Sequence, residues 1–151
     1  MNRIEKQHID NKNNKKENWI VPCNPKHLDI KTHLQKTDEI VFKRVRPINT
    51  GDTVYIYVSG KNGQIKYKGI VINNNCDKEI MNVHDYAASI ESYGQGPFIY
   101  MLVRIGYEYP DNTIVLKDLK DHGFGQVQVQ ARTSRVLQEF LNSKDCVPLS
   151  I

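Results

Sequence analysis

Apolar residues along most of this chain recur at every second position, in short runs cut by proline, glycine and asparagine, which is the pattern of half-buried strands. "WIVPC" is the first run, with Pro22 and Pro25 as its expected stops. A short helix is predicted next, capped by Asp29, with Ile30 and Leu34 on one face. "EIVFKRVR" reads as a strand. "PINTGDTVYIYVSG" predicts a turn at Asn49–Asp52, then a strand with Val54, Ile56 and Val58 opposed to Thr53, Tyr55, Tyr57 and Ser59. "GKNG" signals a hairpin, and "QIKYKGIVI" is the returning strand. The pattern breaks at "NNNCDK" and turns helical around Val83, Tyr86, Ala87 and Ile90. "PFIYMLVRIGYEY" is expected to be the longest strand and, being apolar on both faces, central. A short helix ending at Gly123 follows. "GQVQVQAR" alternates again, as a further strand. The last helix places Val136, Leu137, Phe140 and Leu141 on one side, capped by Thr133 or Ser134.

Strands interrupted by helices but joined by hairpin-like turns argue for an α+β fold with a small curved or barrel-like sheet, not an alternating βαβ fold. No internal repeat is visible. Residues 1–17 carry almost no apolar side chains and read as a disordered basic and polar arm, leaving 18–151 as a single domain.

Composition narrows the class. With 39% hydrophobic and 25% charged residues among 151, the chain can bury one core without metal or disulfide support. Its longest apolar stretches cannot span a bilayer, and its N-terminus lacks the apolar core of a signal peptide, so a cytoplasmic protein is expected. Cys23, Cys76 and Cys146 are too few and too far apart for a disulfide framework or zinc site, and the histidines lack metal-ligand spacing. No metal or cofactor is expected. The net charge of +4 is compatible with a nucleic-acid partner but comes partly from the arm, so a basic site in the folded part requires clustering.

No nucleophile, Walker or paired-carboxylate motif is present, and no catalytic residue is assigned. Cys23 beside an apolar strand reads as a packing residue. What recurs is aromatic residues next to cationic or amide side chains: Phe42 beside Lys43, Arg44 and Arg46; Tyr67 between Lys66 and Lys68; Tyr55 and Tyr57 on one face; Gln128, Gln130, Arg132 and Arg135 near the end. Nucleic-acid sites need cations for phosphates and flat faces for bases. The same residues also suit a plain sheet whose tyrosines pack and whose lysines face water.

In order, "WIVPCNPKHLDI", "EIVFKR", "INTGDTVYIYVS", "IKYKGIVI" and "LKDLKDHGFGQVQVQARTSRVLQEFL" resemble the EVE domain family of the PUA-like superfamily, its bacterial and phage members in particular. The resemblance covers about residues 18–142 and is similar in kind to YTH domains and to the DNA-reading modules of modification-dependent restriction systems. It implies a small mixed β-barrel of five or six strands with peripheral helices. It further implies a non-catalytic reader that binds DNA or RNA and flips a base, modified or not, into an aromatic-lined pocket. Carried over by position, the pocket residues are Pro22, Cys23, Asn24, Phe42, Tyr57 and Ser59, with Trp19 assigned to pocket or core. The phosphate contacts are Lys43, Arg44, Arg46, Arg132 and Arg135, with Gln128 as a polar contact. Phe42 stands where the family often has tryptophan. That departure motivates the alternative, a protein-interaction or regulatory module on the same fold with a degenerate base pocket.

Overall fold

β1 (Asn18–Cys23), α1 (Ile30–Leu34), β2 (Glu39–Lys43), β3 (Thr53–Val58), β4 (Gln64–Cys76), β5 (Tyr100–Glu108), α2 (Leu116–Asp121), β6 (Ala131–Arg132) and α3 (Arg135–Lys144) follow one another along the chain. The computed structural model describes residues 15–76, 98–125 and 127–145. The strands form one sheet in the order β2-β5-β4-β3-β1-β6. β1 and β3 run parallel, and the other neighbours are antiparallel. No helix among the described residues is long and apolar enough to cross a membrane.

The α+β class follows the alternation. On β3, Val54 and Ile56 enter one apolar cluster and Tyr55 and Tyr57 the other, as period-two patterning requires. The first cluster joins Trp19 and Val21 of β1 to Phe42 of β2, with Leu28, Ile30 and Ile48 covering it. β1 and β2 lie near opposite ends of the strand order, so the sheet must curl for them to share a core. It curls without closing. Among the described residues no backbone ladder joins β2 to β6, and the expected barrel is an open six-stranded sheet.

The second face is covered by α2 and α3, whose Leu119, Leu137 and Leu141 are fully buried against Ile20, Tyr55 and Ile65. Each such side chain contributes about 1.5–3 kcal/mol. Asp145 fastens the C-terminal end of α3: its carboxylate accepts from the Tyr109 hydroxyl at 2.6 Å and pairs with Lys68 Nζ at 2.6 Å. Burial first, then the Asp145 carboxylate, pushes the Tyr109 hydroxyl upward in pKa.

Local signals hold where they are short-range. The Asp29 carboxylate caps α1 by accepting from the Thr32 N–H at 3.2 Å and the Thr32 hydroxyl at 2.7 Å. Ser134, rather than Thr133, caps α3 by accepting from the Leu137 N–H at 3.2 Å. α2 is followed by Gly123 at φ 84°. Other expectations change. Pro22 lies inside β1 and does not stop it. β4, with 13 residues, is longer than the 9-residue β5, because it continues through Asn73–Cys76 by register shifts against β5. β4 and β3 are central, while β5 is next to the edge strand β2. Among the described residues of "GQVQVQAR", Ala131–Arg132 alone is strand, and Val136 on α3 is exposed. The helix expected around Val83–Ile90 lies outside the described residues. So does the arm up to residue 14, whereas Glu17 donates its N–H to Asp52 and accepts from the Thr53 N–H.

Candidate functional site

The open side of the sheet is the place to look, because strand edges left without a ladder present backbone groups and leave space. Along β1 the carbonyls of Glu17 and Cys23 accept from Thr53 and Ser59, so odd residues turn their backbone toward β3. The Asn18 carbonyl accepts from Thr133, so even residues turn away, toward β6. Pairing with β6 ends at Ile20, and the next even residue is Pro22, which has no N–H. Proline here removes the donor that would otherwise point into the gap.

Across that gap runs the segment after β2. Gln130, buried and just before β6, bridges it. Its Oε1 accepts from the Val45 N–H at 2.9 Å and its Nε2 donates to the Lys43 carbonyl at 2.6 Å. One carboxamide thus makes the donor-and-acceptor pair that a backbone peptide would make in a closed barrel. The seam so formed holds a cleft with two lobes that share Gln128, Val129 and Gln130. One, of about 320 Å³, is lined by Pro22, Phe42, Lys43 and Val45 as well. The other, of about 570 Å³, is lined by Trp19, Arg46, Pro47, Ala131 and Arg132 as well. Each volume falls in the range of small-ligand sites, roughly 300–1,000 Å³.

Trp19 forms part of the floor. Its Nε1–H donates to Asp52 Oδ2 at 2.9 Å, and the same fully buried carboxylate accepts from the N–H groups of Asn49 at 2.9 Å and Glu17 at 3.1 Å. Three donors satisfy a charge that would otherwise be very costly inside the protein. One face of the indole lies under the Arg132 guanidinium, 5.1 Å away, so Trp19 is both core and cleft wall.

The rim is cationic. Arg46 and Arg132 line the larger lobe and Lys43 the smaller. Arg132 lies 3.8 Å from Glu17, a long and half-exposed pair. Lys43 Nζ sits 4.1 Å from the Phe98 ring centroid, and Arg46 donates to the Val45 carbonyl at 3.2 Å. Among the described residues neither has a carboxylate partner. Arg44 is held by its N–H, which donates to the Ile99 carbonyl at 2.7 Å; its buried Nε has no hydrogen-bond partner among the described residues.

The seam therefore brings together Trp19, Pro22, Phe42, Lys43, Arg46, Gln128 and Arg132 from the sequence-based set. It does not gather the rest. Cys23 lies in the core beneath, its Sγ 3.9 Å from the Leu28 carbonyl, and burial pushes its thiol up to about 12, the wrong direction for a nucleophile. Asn24 folds the turn after β1: its carbonyl accepts from His27 and Leu28, and its side chain accepts from the Lys26 N–H. Tyr57 packs on the opposite face with Ile20 and Ile65. Ser59 lines a separate groove of about 340 Å³ with Asp29, Lys66, Tyr67, Glu108 and Asp111. Arg135 is exposed on α3, 3.4 Å from Glu139. Sequence reasoning missed Val45, Val129, Gln130 as a bridge, and Asp52 as the anchor of Trp19. Asp52 had a signal, the Asn49–Asp52 turn; Gln130 was hidden by being counted into a strand. Among the described residues no group of three or more His, Cys, Asp or Glu side chains could hold a metal ion.

No known protein family matches the sequence, and no curated protein is similar to it. Solved structures are similar in shape. A variant of the ASCH protein from Zymomonas mobilis superposes with a TM-score of 0.64 at 12% identity, covering 85% of this chain and 98% of that one. A hypothetical protein from Leishmania major gives 0.59 at 14% identity, covering 86% and 95%. Human THYN1, solved in complex with DNA containing 5-methylcytosine, gives 0.58 at 10% identity, covering 88% and 100%. At these identities the likeness is one of fold.

Proposed function

We propose that this PUA-like domain is a non-catalytic nucleic-acid-binding module, of the EVE branch, whose seam cleft receives one extruded base. The observation that carries the reading is the cleft itself: an aromatic floor from Trp19 and Phe42, amide groups along one wall, and a rim of cations that no described carboxylate neutralises except distant Glu17. In this reading Arg46, Arg132 and Lys43 engage phosphates, while the Gln128 side chain, which is exposed, meets the base edge. Pro22, Val45 and Val129 make the smaller lobe apolar enough to accept an added methyl group. A methyl contributes only about 0.8 kcal/mol, so discrimination by this route is moderate. The DNA held by human THYN1 supports the choice of ligand class.

Trp19 is the single tryptophan, so its fluorescence reports the cleft directly. Titration with single- and double-stranded DNA and RNA, plain and containing 5-methylcytosine, at several salt concentrations tests the reading. Expected is a saturable change in Trp19 emission with salt-dependent affinity. Arg46→Ala or Arg132→Ala should each lower the slope of log K against log salt by about one. Absence of binding to every one of these probes at low salt would sink it. A single stoichiometric protein partner, retained after nuclease treatment, would favour the protein-interaction alternative instead.

A further inference from the structure

The Gln130 bridge has the geometry of a structural element rather than of a ligand contact. Both polar atoms of its side chain are engaged, one with the Lys43 carbonyl and one with the Val45 N–H, across 85 or more residues of chain. The side chain is buried although it borders both lobes of the cleft. The segment it holds, Lys43–Pro47, carries two of the rim cations, Lys43 and Arg46. The partner edge, β1 with β6, carries the third, Arg132. No backbone ladder spans the seam among the described residues, and this pair of hydrogen bonds links the two cationic edges beside the cleft.

We propose that Gln130 is the positioning residue of this cleft. It touches no ligand. It fixes the Lys43–Pro47 segment relative to the β1–β6 edge, and so sets the spacing of Lys43 and Arg46 from Arg132 to match successive phosphates of a bound strand. The spacing part of the proposal rests on the nucleic-acid reading; the bridging part does not. The chemistry explains why glutamine is needed at this position. A carboxamide offers one donor and one acceptor, the complement of the Lys43 carbonyl and Val45 N–H. A glutamate in its charged form would set an oxygen against the Lys43 carbonyl.

The test compares wild-type protein with Gln130→Met and Gln130→Ala. Methionine keeps the length and fills the space but makes neither hydrogen bond, so it separates bridging from packing; circular dichroism and thermal unfolding establish that each variant is folded. The first readout is amide hydrogen exchange at Val45, which needs no ligand. Exchange should be faster by at least about fivefold in Gln130→Met, the loss expected for one hydrogen bond. Unchanged Val45 exchange in folded Gln130→Met overturns the bridge whatever the protein binds. The second readout is nucleic-acid affinity across salt concentrations. Both variants should bind about tenfold more weakly, with a shallower salt slope, as one phosphate contact falls out of register. Wild-type affinity and slope in Gln130→Met, together with fast Val45 exchange, would leave a bridge without a positioning role and overturn the proposal. Failure of the wild-type protein to bind any nucleic acid would defeat the proposed function and with it the phosphate spacing, while Val45 exchange still decides the bridge.

Discussion

The smaller lobe of the seam cleft and the groove past the C-terminal ends of β1 and β3 are of similar size, about 320 and 340 Å³, and both have aromatic walls, yet cleft and groove differ in what their charges are doing. In the groove, Lys66 is already matched. It lies 2.7 Å from Asp111 and 3.5 Å from Glu108, and it donates to the Tyr109 carbonyl at 2.7 Å. The remaining acidic group on that wall, Asp29, caps α1 and is held low by its hydrogen bonds to Thr32. A phosphate approaching there meets carboxylates. In the seam the reverse holds: Lys43 and Arg46 rest against an aromatic ring and a carbonyl, with no carboxylate on either among the described residues. Volume and aromatic lining therefore do not separate a candidate site from a crevice here. Unmatched charge does, because Coulomb energy already used inside the protein is not available to a ligand.

The largest expected effect breaks the seam at its floor. Asp52→Ala strips three donors of their acceptor, two of them backbone N–H groups and one the Trp19 indole. Unfolding in denaturant should show a loss of about 3 kcal/mol, with Trp19 emission altered in the folded baseline. A loss under 1 kcal/mol would mean that the floor is held by packing alone. Next in size is the double charge reversal Arg46→Glu with Arg132→Glu. It should weaken nucleic-acid binding by at least about 100-fold at low salt. The matching change in the groove, Lys66→Ala, should cost stability on the order of 1 kcal/mol and shift nucleic-acid affinity by less than about twofold. An equal effect of the two on binding would erase the distinction between the regions.

The smallest effect sharpens the comparison through pH. Burial first, then the Glu108 carboxylate, pushes the Tyr67 phenol of the groove up to about 12 from an ordinary 10.0. The folded protein holds this proton more tightly than the unfolded chain. The associated stability is thus fully present below pH 10 and is lost as pH rises through about 12. Tyr67→Phe should flatten that part of the stability profile, and absorbance of the tyrosinate should place the Tyr67 transition above pH 11. A normal transition near 10 would mean that Tyr67 is not held buried beside Glu108 in the groove. Cys23 loses stability in the same sense, starting nearer pH 9, so the comparison is made in a Cys23→Ala background.

Much of the local structure was legible because it depends on interactions close in the chain. The caps at Asp29 and Ser134 and the alternation along β3 involve neighbours a few residues apart, and their side-chain types have few other uses in that pattern. The misreadings share a cause as well. Pro22 reads as a stop when only the chain is seen, since it lacks an N–H. It is tolerated inside β1 because that N–H would face an edge where no partner strand lies. "VQVQ" reads as strand from its period, but in the fold Gln130 uses its side chain, not a ladder, to reach the facing segment. Tyr57 and Ser59 were grouped with Phe42 as pocket walls. The alternation of β3 puts Tyr57 with Tyr55 on the face opposite Phe42, and the chain after the strand carries Ser59 to a different groove.

The sequence by itself determined an α+β chain of short strands, its helix caps, and a set of cations beside aromatic residues. It also held the motif order that resembles EVE domains. Only the tertiary structure decided which of those residues meet. Trp19, Pro22, Phe42, Arg46 and Arg132 come from three separate stretches of chain, and they converge because the sheet curls until β1 and β2 share one core, with no backbone ladder between β2 and β6 among the described residues. Curl and closure are sums of many small twists and register shifts spread over β3, β4 and β5. No local pattern encodes such a sum, and so the seam, its cleft and the Gln130 bridge appear only once the chain is folded.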